Sequence, residues 1–235
     1  MKHIKITAYL IIIIFLILYS PQMTEIYEYG LYYCYASTFN YMFVGTILSA
    51  GYIFFLMDKV NYASDINFIC RVSQKRLIIK MELWEIFSIA LKYTLFLNFA
   101  FYIIISLILK SIIIFDEKMY IYYFSCMLAQ MTGWIIMGSI YILFFNLTER
   151  NILSMFSTEL IILYTFFAQS MTFSFRDYFF HIYNHMVLDY SNIDLMLYMK
   201  KILINITICI IIGLINLYAY NMKSIYGVNT TYEKE

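Results

Sequence analysis

Apolar residues form six long runs along the chain, and the charged residues fall mostly in the shorter segments between them. A helix needs about 20 mostly apolar residues to cross a hydrocarbon layer about 30 Å thick. The runs therefore predict an all-α membrane protein with six transmembrane helices, organised as one domain over residues 1–235. The predicted spans are Ile6 to Tyr19, Phe39 to Met57, Ile86 to Leu109, Tyr120 to Leu147, Ile152 to Phe175 and Ile202 to Tyr220.

The first run has a second interpretation, because Lys2 and Lys5 precede it as basic residues precede the apolar part of a signal peptide. A cleavable signal ends at a small-x-small site. This sequence instead continues Leu-Tyr-Ser-Pro-Gln from residue 18. We therefore expect the run to be retained as the first span.

The basic residues indicate how the spans are oriented. With the N-terminus in the cytoplasm, ten of the 16 Lys and Arg residues lie inside, five lie outside, and Lys92 falls within a span. This excess satisfies the positive-inside rule, although Lys200 and Lys201 on the outer side run against it. We expect both termini to be cytoplasmic, with the tyrosines at positions 27, 29, 32, 33 and 35 in an aromatic belt at the outer interface.

Composition narrows the possible functions. The chain is 63% hydrophobic and 13% charged, whereas soluble domains carry about 25% charged residues. Its net charge of +1 provides no basic surface for a nucleic acid, so no nucleic-acid partner is expected. The four cysteines form no CxxC pair, and none of the seven glycines lies in a GxxxxGK[ST] phosphate loop. The chain is therefore not expected to bind ATP itself.

Two segments outside the spans are long, the cytoplasmic segment 58–85 and the outer segment 175–201. Apolar residues recur at spacings of three and four between positions 77 and 84, which predicts an amphipathic helix along the inner membrane surface before the third span. Ser73 is its predicted N-cap, and Lys75, Arg76 and Lys80 lie on its polar side. The helix is either a positively charged anchor or a docking element for a partner.

Residues 73–80, which read Ser-Gln-Lys-Arg-Leu-Ile-Ile-Lys, resemble the serine, basic pair, aliphatic run and lysine that follow the coupling helix in ATP-binding-cassette permeases of the type-2 exporter class. The topology is similar too, with six spans, a long loop after the second span and a longer outer segment between the fifth and sixth. Larger members carry a Glu-rich, Gly-containing coupling segment, whereas residues 61–70 hold Asp65 as their only acid. Small aromatic-rich permeases of this kind are similar to those encoded beside bacteriocin or toxic-peptide export and immunity systems.

The resemblance implies a permease domain in a bacterial cytoplasmic membrane that moves a peptide or another amphipathic substrate. It implies a cytoplasmic ATPase partner that binds ATP and Mg, a second permease chain that is identical or related, and no cofactor or catalytic residue on this chain. A short interfacial helix is implied between the fifth and sixth spans. The residues implied at the ATPase contact are Asn61, Ser64, Asp65, Phe68, Arg71, Lys75, Arg76 and Lys80.

Polar residues within the predicted spans are the next candidates. Lys92 and Glu159 each lie seven residues inside the cytoplasmic end of a span, roughly 10 Å deep at about 1.5 Å per residue. Because intramembrane charge is unfavourable, they either form an ion pair or extend separately to the interface. Asn98, Gln130 and Gln169 either hydrogen-bond between helices or line a substrate path.

The outer segment contains acidic and histidine residues at a spacing of four, from Asp177 through His181 and His185 to Asp189. Two histidines at this spacing on a helix can share a metal ion. Ile182 follows His181, so the glutamate of an HExxH motif is absent. The stripe is either the water-facing side of an interfacial helix or a weak metal site.

Three functions compete at this point: a transporter subunit, a membrane protein that binds a peptide for immunity or sensing, and a metal-dependent membrane enzyme using His181 and His185. The chain has no GxSxG elbow and no HExxH motif. We therefore expect it not to be an enzyme, and the transporter subunit is the favoured interpretation.

Overall fold

A computed structural model describes residues 2–19, 23–39, 43–60, 75–110, 116–170, 188 and 194–229. Every regular element in these residues is a helix, which confirms the all-α prediction. A π-helical segment covers Val44–Leu48. The α-helices are α1 (Lys2–Tyr19), α2 (Met23–Thr38), α3 (Ser49–Val60), α4 (Lys75–Leu109), α5 (Glu117–Thr148), α6 (Asn151–Ser170) and α7 (Leu195–Asn229).

Three helices in the described part of the chain are long and apolar enough to cross a membrane: Lys80–Leu109, Glu117–Thr148 and Leu195–Tyr220. Shorter apolar helices cover Thr7–Leu18, Val44–Met57 and Asn151–Tyr164. All six predicted spans are thus helical where they are described. The membrane character of the chain follows from the three long helices.

Helix α4 contains both the segment predicted as an amphipathic surface helix and the third predicted span. It runs without a break for 35 residues from Lys75 to Leu109, about 52 Å at 1.5 Å per residue. No glycine or proline interrupts residues 75–109, so nothing in the local sequence ends the helix between the basic turn and the apolar stretch. The predicted N-cap, Ser73, lies outside the described residues.

A further helix precedes the second apolar segment, whose apolar helix covers Val44–Met57. The preceding helix, α2, bends at Gly30, whose φ of 79° is readily adopted only by glycine. Tyr35 and Phe39 are fully buried. The packed interior therefore includes Tyr35, which the sequence pattern assigned to the outer interface.

Neighbouring helices pack with alternating directions. Tyr9 of α1 stacks on Phe55 of α3 at a centroid distance of 4.4 Å, while Phe15 approaches Phe43 at 6.5 Å, so these segments are antiparallel. A two-residue turn reverses the chain between α5 and α6, where Glu149 adopts a left-handed φ of 57° and its N–H donates to the carbonyl of Phe145.

Helix α5 occupies the centre of the packing. In its most apolar stretch, 67% of the residues are buried, compared with 17% in the corresponding stretch of α7. Asn205 and Asn216 of α7 hydrogen-bond to Thr132 and Ser139 of α5 in the same chain order. Helices α5 and α7 are therefore parallel. Two spans have this relation when the chain crosses the membrane once between them.

Candidate functional site

Three buried polar side chains from three helices form a closed ring of hydrogen bonds, here called the polar ring. Tyr35 of α2 donates from its hydroxyl to Asn98 Oδ1 of α4 at 2.9 Å. Asn98 Nδ2 donates to Gln130 Oε1 of α5, and Gln130 Nε2 donates back to the Tyr35 hydroxyl, each at 2.9 Å. Each residue is exposed by 2% or less. The ring ties together helices that are distant in sequence.

The surroundings of the polar ring satisfy its remaining groups. Asn98 Nδ2 also donates to the carbonyl of Thr94, and the Tyr123 hydroxyl donates to the carbonyl of Asn98 at 2.8 Å. The ring of Phe101 meets that of Tyr35 edge-on at 5.2 Å. Tyr35 is therefore not part of an interfacial aromatic belt, and the aromatic-belt prediction is wrong for this residue. Asn98 and Gln130 act as interhelical hydrogen-bonding residues in this structure.

An aromatic cluster is formed by Tyr52, Tyr93 and Trp134, and it shares helices α4 and α5 with the polar ring. Their ring centroids are 5.2 to 5.6 Å apart. The Tyr93 hydroxyl donates to the carbonyl of Leu48 in the π-helical segment at 2.9 Å. The cluster thus joins α3, α4 and α5 next to a local distortion of the backbone, and such distortions are frequent at functional sites.

Glu159 lies on α6 where that helix meets the π-helical segment. Its Oε2 is 3.0 Å from Ser49 Oγ, and its Oε1 is buried without a hydrogen-bond partner. Lys92 is exposed, and the partner of the Glu159 carboxyl group is Ser49. The ion-pair hypothesis is therefore not realised in this structure. Ser49 was not a sequence candidate, because a single serine in an apolar run carries no signal of its own.

A second set of polar contacts joins α5 to α7. Asn205 Nδ2 donates to Thr132 Oγ1 at 2.9 Å, and Asn216 Nδ2 donates to the carbonyl of Ser139 at 2.8 Å. All four residues are buried. Interhelical amide and hydroxyl bonds of this kind position membrane helices.

The N-terminal half of α4 carries a buried acid that the amphipathic pattern did not predict. Glu82 is only 6% exposed, and its carboxylate interacts electrostatically with Tyr220 of α7. Lys80, two residues earlier, is exposed. The N-terminal half of α4 therefore lies near Tyr220 of α7.

At the opposite end of the helices, Asp116 connects two elements. Asp116 caps α5 by accepting from the N–H of Met119 at 2.8 Å, and it also accepts from the Tyr32 hydroxyl at 3.3 Å. Burial and the negative charge of Asp116 raise the pKa of Tyr32. The contact links α2 to the start of α5.

Most of the predicted ATPase contact lies outside the described residues, namely Asn61, Ser64, Asp65, Phe68 and Arg71. Lys75 and Arg76 form the first turn of α4, and Gln169 lies near the end of α6; for these three residues the helix is described and the side chains are not. His181 and His185 also lie outside the described residues. Within the described part, no group of three or more His, Cys, Asp or Glu side chains could hold a metal ion.

Comparison with known proteins finds no matching family model, no matching curated protein and no matching solved structure.

Proposed function

We propose that the chain is the transmembrane subunit of an ATP-binding-cassette transporter in a bacterial cytoplasmic membrane. It crosses the membrane six times with both termini inside, pairs with a second permease chain and moves a peptide or amphipathic substrate. ATP is hydrolysed by a separate cytoplasmic ATPase. The alternating helix directions and the parallel pairing of α5 with α7 support the six-span topology.

The observation that carries the proposal is the continuity of α4. One helix of 35 residues joins the basic turn at Lys75 to the buried contacts at Tyr93 and Asn98. Since a helix is stiff along its axis, a displacement of its basic end by an ATPase moves the polar ring and the aromatic cluster directly. Glu82 lies near Tyr220, so the same segment of α4 is also close to α7.

Co-purification with the ATPase encoded beside this chain tests the proposal. We expect the charge reversals Lys75→Glu, Arg76→Glu and Lys80→Glu to reduce ATPase recovery at least about tenfold. They replace the basic side chains that are proposed to contact the ATPase with acidic ones. Lys110→Glu with Lys118→Glu is the matched control, since these exposed basic residues lie at the other end of the helices. Equal recovery in both variants, or a chain that purifies alone in every nucleotide state, would contradict the proposal.

A further inference from the structure

Glu159 has an incomplete set of hydrogen bonds for an ionised carboxylate. One of its oxygens meets Ser49 Oγ at 3.0 Å, and the other is buried with no donor. A carboxylate accepts through both oxygens and needs donors at each when it is removed from water. The described surroundings of Glu159 provide at most one hydrogen-bond donor.

The single hydrogen of the Ser49 hydroxyl has three acceptors within reach, of which Glu159 is only one. Ser49 Oγ lies 2.9 Å from the carbonyl oxygen of Gly45 and 3.3 Å from that of Thr46. Both carbonyls can only accept, and a serine hydroxyl carries a single hydrogen. When that hydrogen is directed to Gly45, Ser49 presents lone pairs to Glu159 Oε2. The contact is then a hydrogen bond only if the carboxyl group carries its own hydrogen.

Among the side chains that the structure describes, no cation forms an ion pair with Glu159. Lys92, the sequence candidate for this role, is exposed. Lys59 lies on helix α3, ten residues after Ser49 in the sequence, and its side chain is exposed. Two tyrosines of neighbouring helices lie close to α6 in the described part of the chain. Tyr93 interacts with Glu159 and donates its hydrogen to Leu48, and Tyr141 of α5 donates to Asn151.

We infer that Glu159 is a proton-binding site: it is a carboxylic acid in this packing, with its Oε2 hydrogen donated to Ser49 Oγ. Release breaks the O–H bond, leaves the electron pair on the carboxylate and transfers the proton to water. Release requires that α6 separate from the π-helical segment, because only water then provides donors to both oxygens. Proton binding is thereby linked to the packing of α6, and this linkage requires no ATPase partner.

Infrared spectroscopy of the chain reconstituted in lipid vesicles tests the inference. A carbonyl stretching band of a protonated carboxyl group is expected at neutral pH, lost in Glu159→Gln and retained in the matched control Glu117→Gln, whose glutamate is exposed at the start of α5. Ser49→Ala keeps the carboxyl group and removes its hydrogen-bond partner. That variant is expected to shift the band without abolishing it, which keeps the test decisive if Glu159→Gln does not fold.

Unfolding in mixed micelles gives an independent measurement. Since the packed state holds a proton that the separated state releases, wild-type stability is expected to fall as pH rises, and Glu159→Gln is expected to flatten this dependence. A band unchanged by Glu159→Gln, or one unmoved by Ser49→Ala, would overturn the inference. Stabilisation by sodium chloride relative to potassium chloride that is lost in Glu159→Gln would also overturn it, because the oxygen cluster would then bind a metal cation instead of a proton.

Discussion

At Gly138, α5 approaches its neighbours closely. A Cβ atom placed there would lie 2.7 Å from the Tyr52 hydroxyl, 2.9 Å from Ile86 Cγ2 and 3.2 Å from Leu56 Cδ2. Tyr52, Ile86 and Leu56 are fully buried, so none of them can move aside freely. The absence of a side chain at this position therefore permits the contact of α3, α4 and α5.

We expect Gly138→Ala to lower the free energy of unfolding by about 1 to 3 kcal/mol, because the added methyl group overpacks a closed site. Gly213→Ala is the matched control, since a Cβ atom at Gly213 of α7 would have no heavy atom within 4 Å. The control is expected to be neutral or to stabilise by about 0.5 to 1 kcal/mol through helix propensity. Unfolding of both variants in mixed micelles measures the difference, and equal effects would show that Gly138 is not sterically constrained.

At the scale of elements, the polar ring determines which helices meet and in what register. Apolar contacts alone tolerate sliding and rotation of membrane helices, because lipid tails compete equally well for apolar side chains. The amide and hydroxyl groups of Tyr35, Asn98 and Gln130 find mutual partners in one arrangement only. The ring therefore gives α2, α4 and α5 a specific mutual position.

A double-mutant cycle on the polar ring tests whether its hydrogen bonds act together to position the helices. Asn98→Ala and Gln130→Ala are each expected to destabilise by about 1 to 3 kcal/mol, because each leaves buried groups without partners. Their effects are expected to be non-additive by roughly 0.6 to 2 kcal/mol, since the two residues share one network. Thr207→Ala is the control, as this exposed hydroxyl bonds only to its own helix at Leu203. Strict additivity would show that the ring does not act as a unit.

At the scale of the whole molecule, α5 lies between helices that come from both halves of the chain. It contacts α3 and α4 through the aromatic cluster and α7 through two buried polar contacts. The parallel register of α5 and α7 requires the chain to return through α6. This return brings Glu159 to the π-helical segment.

Disulfide cross-linking tests the register. In a cysteine-free background, Thr132→Cys with Asn205→Cys and Ser139→Cys with Asn216→Cys are expected to cross-link on oxidation, because in each pair the α7 side chain already lies within hydrogen-bond distance of the α5 residue. The crossed combination of Thr132→Cys with Asn216→Cys is the control and is expected to remain reduced. Cross-linking of the crossed pair at an equal rate would contradict the parallel register.

The sequence by itself determined the membrane character and the helical class, because a run of about 20 apolar residues has few other stable solutions. It also identified Asn98, Gln130 and Glu159 as unusual, since polar groups are unfavourable in such runs. It did not identify their partners. Ser49 and Tyr35 are ordinary residues in sequence, and they become partners only when α2, the π-helical segment, α4, α5 and α6 are brought together.

Only the tertiary structure decided that Glu159 meets Ser49 instead of Lys92, and that Tyr35 is buried instead of interfacial. Equal depth along two helices does not specify which faces of the helices meet. Rotation about each helix axis is set by the combined packing of all neighbours, including close approaches such as the one at Gly138. Hydropathy along a single chain therefore specifies which segments are helical and apolar, and the three-dimensional packing specifies which polar groups become a site.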